Sequence, residues 1–244
     1  IKKIYLPKNL NDIFLKEIEY KKNPQVRKTN PGKGIENLAE EFNLNFIEKN
    51  TNLKLVLEKV LGKNYEVILK KFIIGVPKNR IPSWILKITS KELVGNLNKF
   101  IRPKFRKSTY FYGIDYHMDY IDIPNSKGNF ITLYVYLNKV SKKSSPLNVV
   151  LKSHLFGATK FPHFIKKKTS NKIVYGLNSK KKSTFKIKTL TGNAGDINLW
   201  SCYTLHGTKP MVANTPRISL RYLIKSKNSN NHCLIKKLRD NIKY

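Results

Sequence analysis

The chain has 244 residues, with 40% hydrophobic residues, 13 Tyr and 12 Phe, which is enough apolar area for one sizeable core and excludes wholesale disorder. Lys and Arg number 48 against 15 Asp and Glu, a net charge of +33, which suggests a polyanionic partner such as nucleic acid, acidic membrane or a phosphorylated substrate. Only seven of the 48 are Arg (Arg27, Arg80, Arg102, Arg106, Arg217, Arg221 and Arg239). Bidentate reading of phosphates and bases is therefore thinly provided for.

Abundant Lys, Asn and Ile also follow from an A+T-rich genome, and nucleic-acid binding ranks below that explanation. The sequence has no helix-turn-helix, RNA-recognition or zinc signature. Cys202 and Cys233 form neither a disulfide framework nor a CxxC pair. No run approaches the ~20 apolar residues of a membrane span. The chain starts at Ile1 without a charged-then-apolar leader, so the expected location is the cytoplasm.

Residues 1 to about 100 read as a helical flank. Ile35, Leu38 and Phe42 stand at helical spacing, and Leu53, Leu55, Val56, Leu57, Val60 and Leu61 continue that period up to a natural stop at Gly62. Val67, Ile68, Leu69, Phe72, Ile73 and Ile74 are too crowded to assign by period. A further short helix is expected within Trp84 to Leu97, with Ser90 as a plausible N-cap.

From about residue 101 short runs of Tyr, Phe, Ile, Val and Thr alternate with turn residues. These runs are Thr109–Tyr116, Phe130–Leu137, Leu147–Leu151, Ile173–Tyr175, Ser183–Lys188, Ile197–Trp200 and Ile218–Ile224, and they predict a sandwich or barrel. Residues 166–183, rich in Lys and Ser, read as a long surface loop. Gly192 to Asp196 reads as a turn, and residues 225–244 form a tail that ends in a short helix over Leu234–Ile242.

His117-Met118-Asp119 closes a strand-like run. Residues two apart on a strand share a face, so the imidazole and the carboxylate can converge. One more His, with His206 as the candidate, completes a facial triad suited to Fe(II) with positions left open. An HxD pair alone is weak evidence, and Asp115, on the same face, is a rival acid. Arg217 follows His206 by eleven residues and shares a strand face with Ser219, an arrangement that can grip a carboxylate. Arg221 lies on the same face, and alternation does not choose between the two arginines.

Taken in order, His117-x-Asp119, Gly195-Asp196, Trp200, His206-Gly207 and Arg217 resemble the phytanoyl-CoA dioxygenase family of Fe(II)/2-oxoglutarate oxygenases. The middle segments Thr132 to Leu137, Ser145-Pro146-Leu147 and Ser153-His154-Leu155-Phe156-Gly157 are similar too. The resemblance covers roughly residues 50 to 224. Ser145 stands where the family has Gly, Leu151-Lys152 where it has Pro-Gly, and Met211 and Ala213 where Asn and Ser or Thr are frequent.

The resemblance implies one oxygenase domain over 1–244, mostly β with N-terminal helices, built on a double-stranded β-helix (jelly-roll, cupin-like) core over about 101–224. It implies His117, Asp119 and His206 as iron ligands, with Asp119 preferred over Asp115 because it fits the family spacing. Arg217 would bind the 5-carboxylate of 2-oxoglutarate, with Ser219, Thr132 or Tyr134 as further contacts. O₂ and a small-molecule or carbohydrate-linked substrate would be the other partners, and hydroxylation the outcome. Halogenating relatives lack the carboxylate ligand, which Asp119 supplies here. His154 is expected to be structural, His163 a solvated loop residue, Asp196 a turn residue, and Cys202 and Trp200 core.

Overall fold

The computed structural model describes residues 49–89, 109–123, 130–157, 163–176 and 180–227. The expected helices at Ile35–Phe42, from Ser90 onward and at Leu234–Ile242 fall outside these residues. Helix α1 (Thr51–Leu61) sets Leu53, Leu57 and Leu61 on one buried stripe. The Asn50 side chain accepts the Leu53 N–H at 2.9 Å, and Gly62 ends the helix at φ +84°, a conformation that costs glycine little. Helix α2 is short, Ser83–Thr89. Among the described residues no helix is long and apolar enough to cross a membrane.

The strands are β1 (Tyr65–Gly75), β2 (Thr109–Phe111), β3 (Phe130–Tyr136), β4 (Leu147–Val150), β5 (Phe164–Lys168), β6 (Lys172–Gly176), β7 (Lys182–Leu190), β8 (Ile197–Ser201), β9 (His206–Gly207) and β10 (Arg217–Ser226). They form two five-stranded sheets, ordered β2-β1-β10-β3-β8 and β5-β6-β7-β4-β9. The architecture is mostly β and jelly-roll-like, as expected.

Two expectations need correction. The crowded run after Gly62, placed inside the helical flank, is the long strand β1. The stretch 166–183, read as a loop around the expected Ile173–Tyr175 run, contributes most of the antiparallel pair β5–β6 and the start of β7.

Next to the small sheet β5-β6-β7-β4-β9, the large sheet β2-β1-β10-β3-β8 has longer strands, and its central strands β3 and β10 are buried on both faces. Its outer face (Phe72, Ile74, Ile131, Leu133, Val135, Ile218, Leu220, Tyr222 and Ile224) packs on α1 and α2 through Leu53, Leu57, Leu61 and Ile85. This is the usual consequence of laying an amphipathic helix on a sheet. Its inner face meets the small sheet through Ile73, Phe111, Tyr134 and Trp200 against Leu147 and Val149. That inner face of β10 also carries Arg217, Ser219 and Arg221, all buried. Burying so much polar surface between sheets is costly unless partners or ligands satisfy it, and this polar strip is where the functional site begins.

Candidate metal centre and its arginine pocket

His117 is not in a regular strand. It makes an isolated antiparallel bridge with His206, donating its N–H to the His206 carbonyl at 2.8 Å and accepting the His206 N–H at 3.0 Å. Asp119 opens a 3-10 turn, Asp119–Asp122, so the strand-like run ends sooner than its sequence predicts. The side chains nevertheless converge. Ligand atoms of His117, Asp119 and His206 all lie within 4.8 Å of one another, and His206 Nε2 is 3.6 Å from Asp119 Oδ1. Asp115 is not in this group; its carbonyl, 2.9 Å from His117 Nδ1, orients that ring.

Both imidazoles are held in the same way. His117 Nδ1 lies against the Asp115 carbonyl, and His206 Nδ1 lies 2.8 Å from the Thr204 carbonyl. A carbonyl can only accept, so each Nδ1 carries the proton and each Nε2 keeps its lone pair for a metal. Burial, and then the nearby His206, push the His117 pKa down to about 4, which leaves the ring neutral at physiological pH.

Burial alone would raise the pKa of Asp119, but Arg221, then His206, His117 and the Thr132 hydrogen bond, hold it below the ordinary carboxylate range. Two imidazoles with Nε2 turned toward one small space and one ionised carboxylate are a donor set that fits a divalent first-row metal.

Asp119 is fully engaged by its surroundings. Its Oδ2 accepts from Thr132 Oγ1 at 2.6 Å and from Trp200 Nε1 at 2.9 Å. Its Oδ1 accepts from Arg221 Nη2 at 2.5 Å, and Arg221 also reaches Asp122 at 2.7 Å. Thr132, expected as a keto-acid contact, donates its hydroxyl to Asp119. Trp200, expected as core, holds the carboxylate as well as packing, its ring stacked on Tyr134 with centroids 5.0 Å apart. The signal for this role was chemical: a buried indole N–H needs an acceptor.

Arg217 is in a different situation. Its side chain is completely buried, its guanidinium lies 4.8 Å from the Phe111 ring centroid, and Nη1 donates to the Ser145 carbonyl. Nε and Nη2, together with the buried Ser219 Oγ, have no hydrogen-bond partner among the described residues. A cationic fork beside an unpartnered hydroxyl in a dry pocket fits a carboxylate. This separates the two arginines that alternation could not, since Arg221 is committed to Asp119 and Asp122. His154 and His163 are not among the three convergent ligands.

Two curled sheets with a His-Asp-His donor set between them make a jelly-roll-like fold with a candidate metal site. The chain belongs to the phytanoyl-CoA dioxygenase family, whose model matches residues 92–219. No protein of curated function matches the sequence.

Among solved structures it is similar to the non-haem, α-ketoglutarate-dependent epimerase SnoN of nogalamycin biosynthesis, at 15% identity and a TM-score of 0.50, covering 78% of this chain and 58% of that one. The carbocyclase SnoK of the same biosynthesis gives 13% identity and a TM-score of 0.42, over 72% and 54% of the two chains. EctD from S. alaskensis, solved with 2-oxoglutarate and 5-hydroxyectoine, gives 10% identity and a TM-score of 0.39, over 74% and 54%. The chain thus spans little more than half the length of these structures.

Proposed function

We propose that the chain is a single Fe(II)/2-oxoglutarate-dependent oxygenase domain, on a double-stranded β-helix, that hydroxylates a small molecule. His117 Nε2, Asp119 and His206 Nε2 would hold the metal, and Arg217 with Ser219 would hold the far carboxylate of the keto acid. The observation that carries the reading is the pairing of the two pockets: three convergent donors beside a fully buried arginine with two unpartnered N–H groups. The family match and the fold shared with a non-haem, α-ketoglutarate-dependent epimerase support it.

Bound by these residues, iron would supply O₂ activation coupled to the oxidative decarboxylation of 2-oxoglutarate to succinate and CO₂. The protein positions and excludes. Thr132, Trp200 and Arg221 fix the Asp119 carboxylate, and the two backbone carbonyls fix the imidazoles. Phe111, Tyr134 and the Leu147–Val149 wall keep water from the carboxylate clamp, where a dry surrounding strengthens each charge-assisted bond. A carboxylate at Asp119 fills the place a halide would need, which favours hydroxylation over halogenation.

Anaerobic addition of Fe(II) and 2-oxoglutarate should produce the visible absorption of a chelated keto acid, and admission of O₂ should release succinate. Absence of both would end the proposal. A basic nucleic-acid binder would instead bind DNA or RNA without iron and with steep salt dependence.

A further inference from the structure

The cross-strand register of the small sheet links the proposed metal site to a group of lysines. Residues directly opposite one another in antiparallel strands share a face. His117 bridges His206, His206 pairs with Val149, and Val149 pairs with Lys188. One row therefore runs across the sheet as His117, His206, Val149, Lys188. It passes from a buried histidine to an exposed lysine within two strands. Lys186 lies two residues from Lys188 on the same face, and Lys172 is its direct partner on β6. All three lysines are exposed. The opposite face of β6 and β7 is apolar, with Ile173, Tyr175, Phe185 and Ile187 packed on Met118 and Val150.

Two features distinguish this ledge from a generally basic surface. Lys172 and Lys186 oppose each other directly, a like-charge pair that opposes folding unless an anion sits between them. No described carboxylate is recorded in an ion pair with any of the three. Residues 123–195 hold fifteen lysines and not one Asp, Glu or Arg. An even spread of the 15 acidic residues would have placed roughly four there. The depletion extends beyond the ledge, Asp196 being the one acid between residues 123 and 239, so the ledge lies where neighbouring carboxylates are scarce.

We propose that Lys172, Lys186 and Lys188 form an anion-binding ledge for a phosphate group on the substrate. The reacting carbon would then reach the metal while the phosphate stays at the rim. The inference rests on the oxygenase reading and names its substrate class: a phosphomonoester or related dianion. At ~4.8 Å between strands and ~3.3 Å per residue, the ledge begins about 10 Å from His206 and ends about 16 Å away. Lysine suits this role, since a flexible point charge can grip a phosphate at an exposed rim without the bidentate geometry of Arg.

Phenyl phosphate serves as the probe because it is a dianion that chelates metals poorly. In buffer at physiological salt, it should bind saturably to the protein loaded with Co(II) and 2-oxoglutarate. The variant Lys172→Gln/Lys186→Gln/Lys188→Gln should weaken that binding at least tenfold. A control that removes equal charge elsewhere, Lys59→Gln/Lys63→Gln/Lys78→Gln, should weaken it less than twofold. Co(II) should enhance the relaxation of the bound ³¹P nucleus to a degree that fits a separation of roughly 10–16 Å.

Equal losses in the two triple variants, or no paramagnetic effect, would overturn the ledge. So would a single-stranded oligonucleotide that binds far more tightly through the same lysines with a steep salt dependence. Co(II) and 2-oxoglutarate titrations of the same variants separate the two readings. Intact loading without phosphate binding refutes the ledge alone. Phosphate binding without loading refutes the oxygenase and, with it, the ledge's role in presenting a substrate.

Discussion

The inner face of β10 carries two arginines whose surroundings differ. Around Arg221 each oxygen of Asp119 has a donor, with Thr132 and Trp200 on one and Arg221 on the other. Around Arg217 two N–H groups and the Ser219 hydroxyl have no partner among the described residues. Arg221 Nε also lacks a partner, but its Nη2 is committed to carboxylates, whereas the Arg217 fork faces an open hydroxyl and no carboxylate. Buried polar groups in folded proteins are nearly always satisfied, so the larger deficit at Arg217 points to a ligand the chain expects. In the first pocket the protein itself satisfies the carboxylate, and the second is left for a visitor.

The largest expected effect tests the first pocket. Asp119→Ala should lower affinity for Co(II) or Fe(II) by more than about 100-fold, since a first ligand should matter more than the outer partners that cost 10–100-fold. Equilibrium titration reads this directly, and unchanged affinity would dissolve the triad. Next, Arg221→Met should cost about 3 kcal/mol in urea unfolding, because it strands the buried Asp119 charge. Arg217→Met should change stability by about 1 kcal/mol or less, since no carboxylate is orphaned. Arg217→Met should nevertheless weaken 2-oxoglutarate binding on the order of 100-fold, as expected when a charged pair of hydrogen bonds is removed. Equal destabilisation by the two methionines would erase the contrast.

Thr132→Val comes third. Loss of one outer-shell bond to Asp119 should weaken metal binding by about 10-fold with little effect on 2-oxoglutarate; a selective loss of keto-acid affinity would return Thr132 to the other pocket. The smallest effect sharpens the backbone beneath both pockets. Lys152 adopts φ +66°, and Lys152→Gly should raise stability by about 1 kcal/mol in thermal or urea unfolding.

That last residue shows how much could be read from the sequence. Ser145 and Lys152 stand where the family pattern has glycine, and they are the two non-glycine residues with positive φ among those described. The backbone has kept a shape that its side chains no longer favour. His117, Asp119 and His206 stand out through the HxD spacing and the family pattern and do converge, although His117 makes an isolated bridge and Asp119 opens a 3-10 turn.

β1 was not legible, because a strand buried on both faces loses its alternation: Phe72 and Ile74 face the helices, while Ile73 faces the small sheet. The β5–β6 pair was hidden differently. An irregularity between Ile165 and Lys167 breaks the register of β5, so that of this pair the sequence shows the Ile173–Tyr175 run of β6 alone. The partnership of Arg221 with Asp119 spans 102 residues, and no local pattern encodes such a contact.

Gly207 follows His206 on β9, and a Cβ there would come within 3.0 Å of the backbone of residues 114–116. The absent side chain lets the two histidine segments lie edge to edge, joined by the reciprocal pair of backbone bonds. The spacing of the imidazoles is thereby fixed by main chain, as in the jaws of a caliper, before any ion arrives. Metal uptake should then resemble docking rather than folding, and a chelator should strip and return the ion with the far-ultraviolet dichroism unchanged.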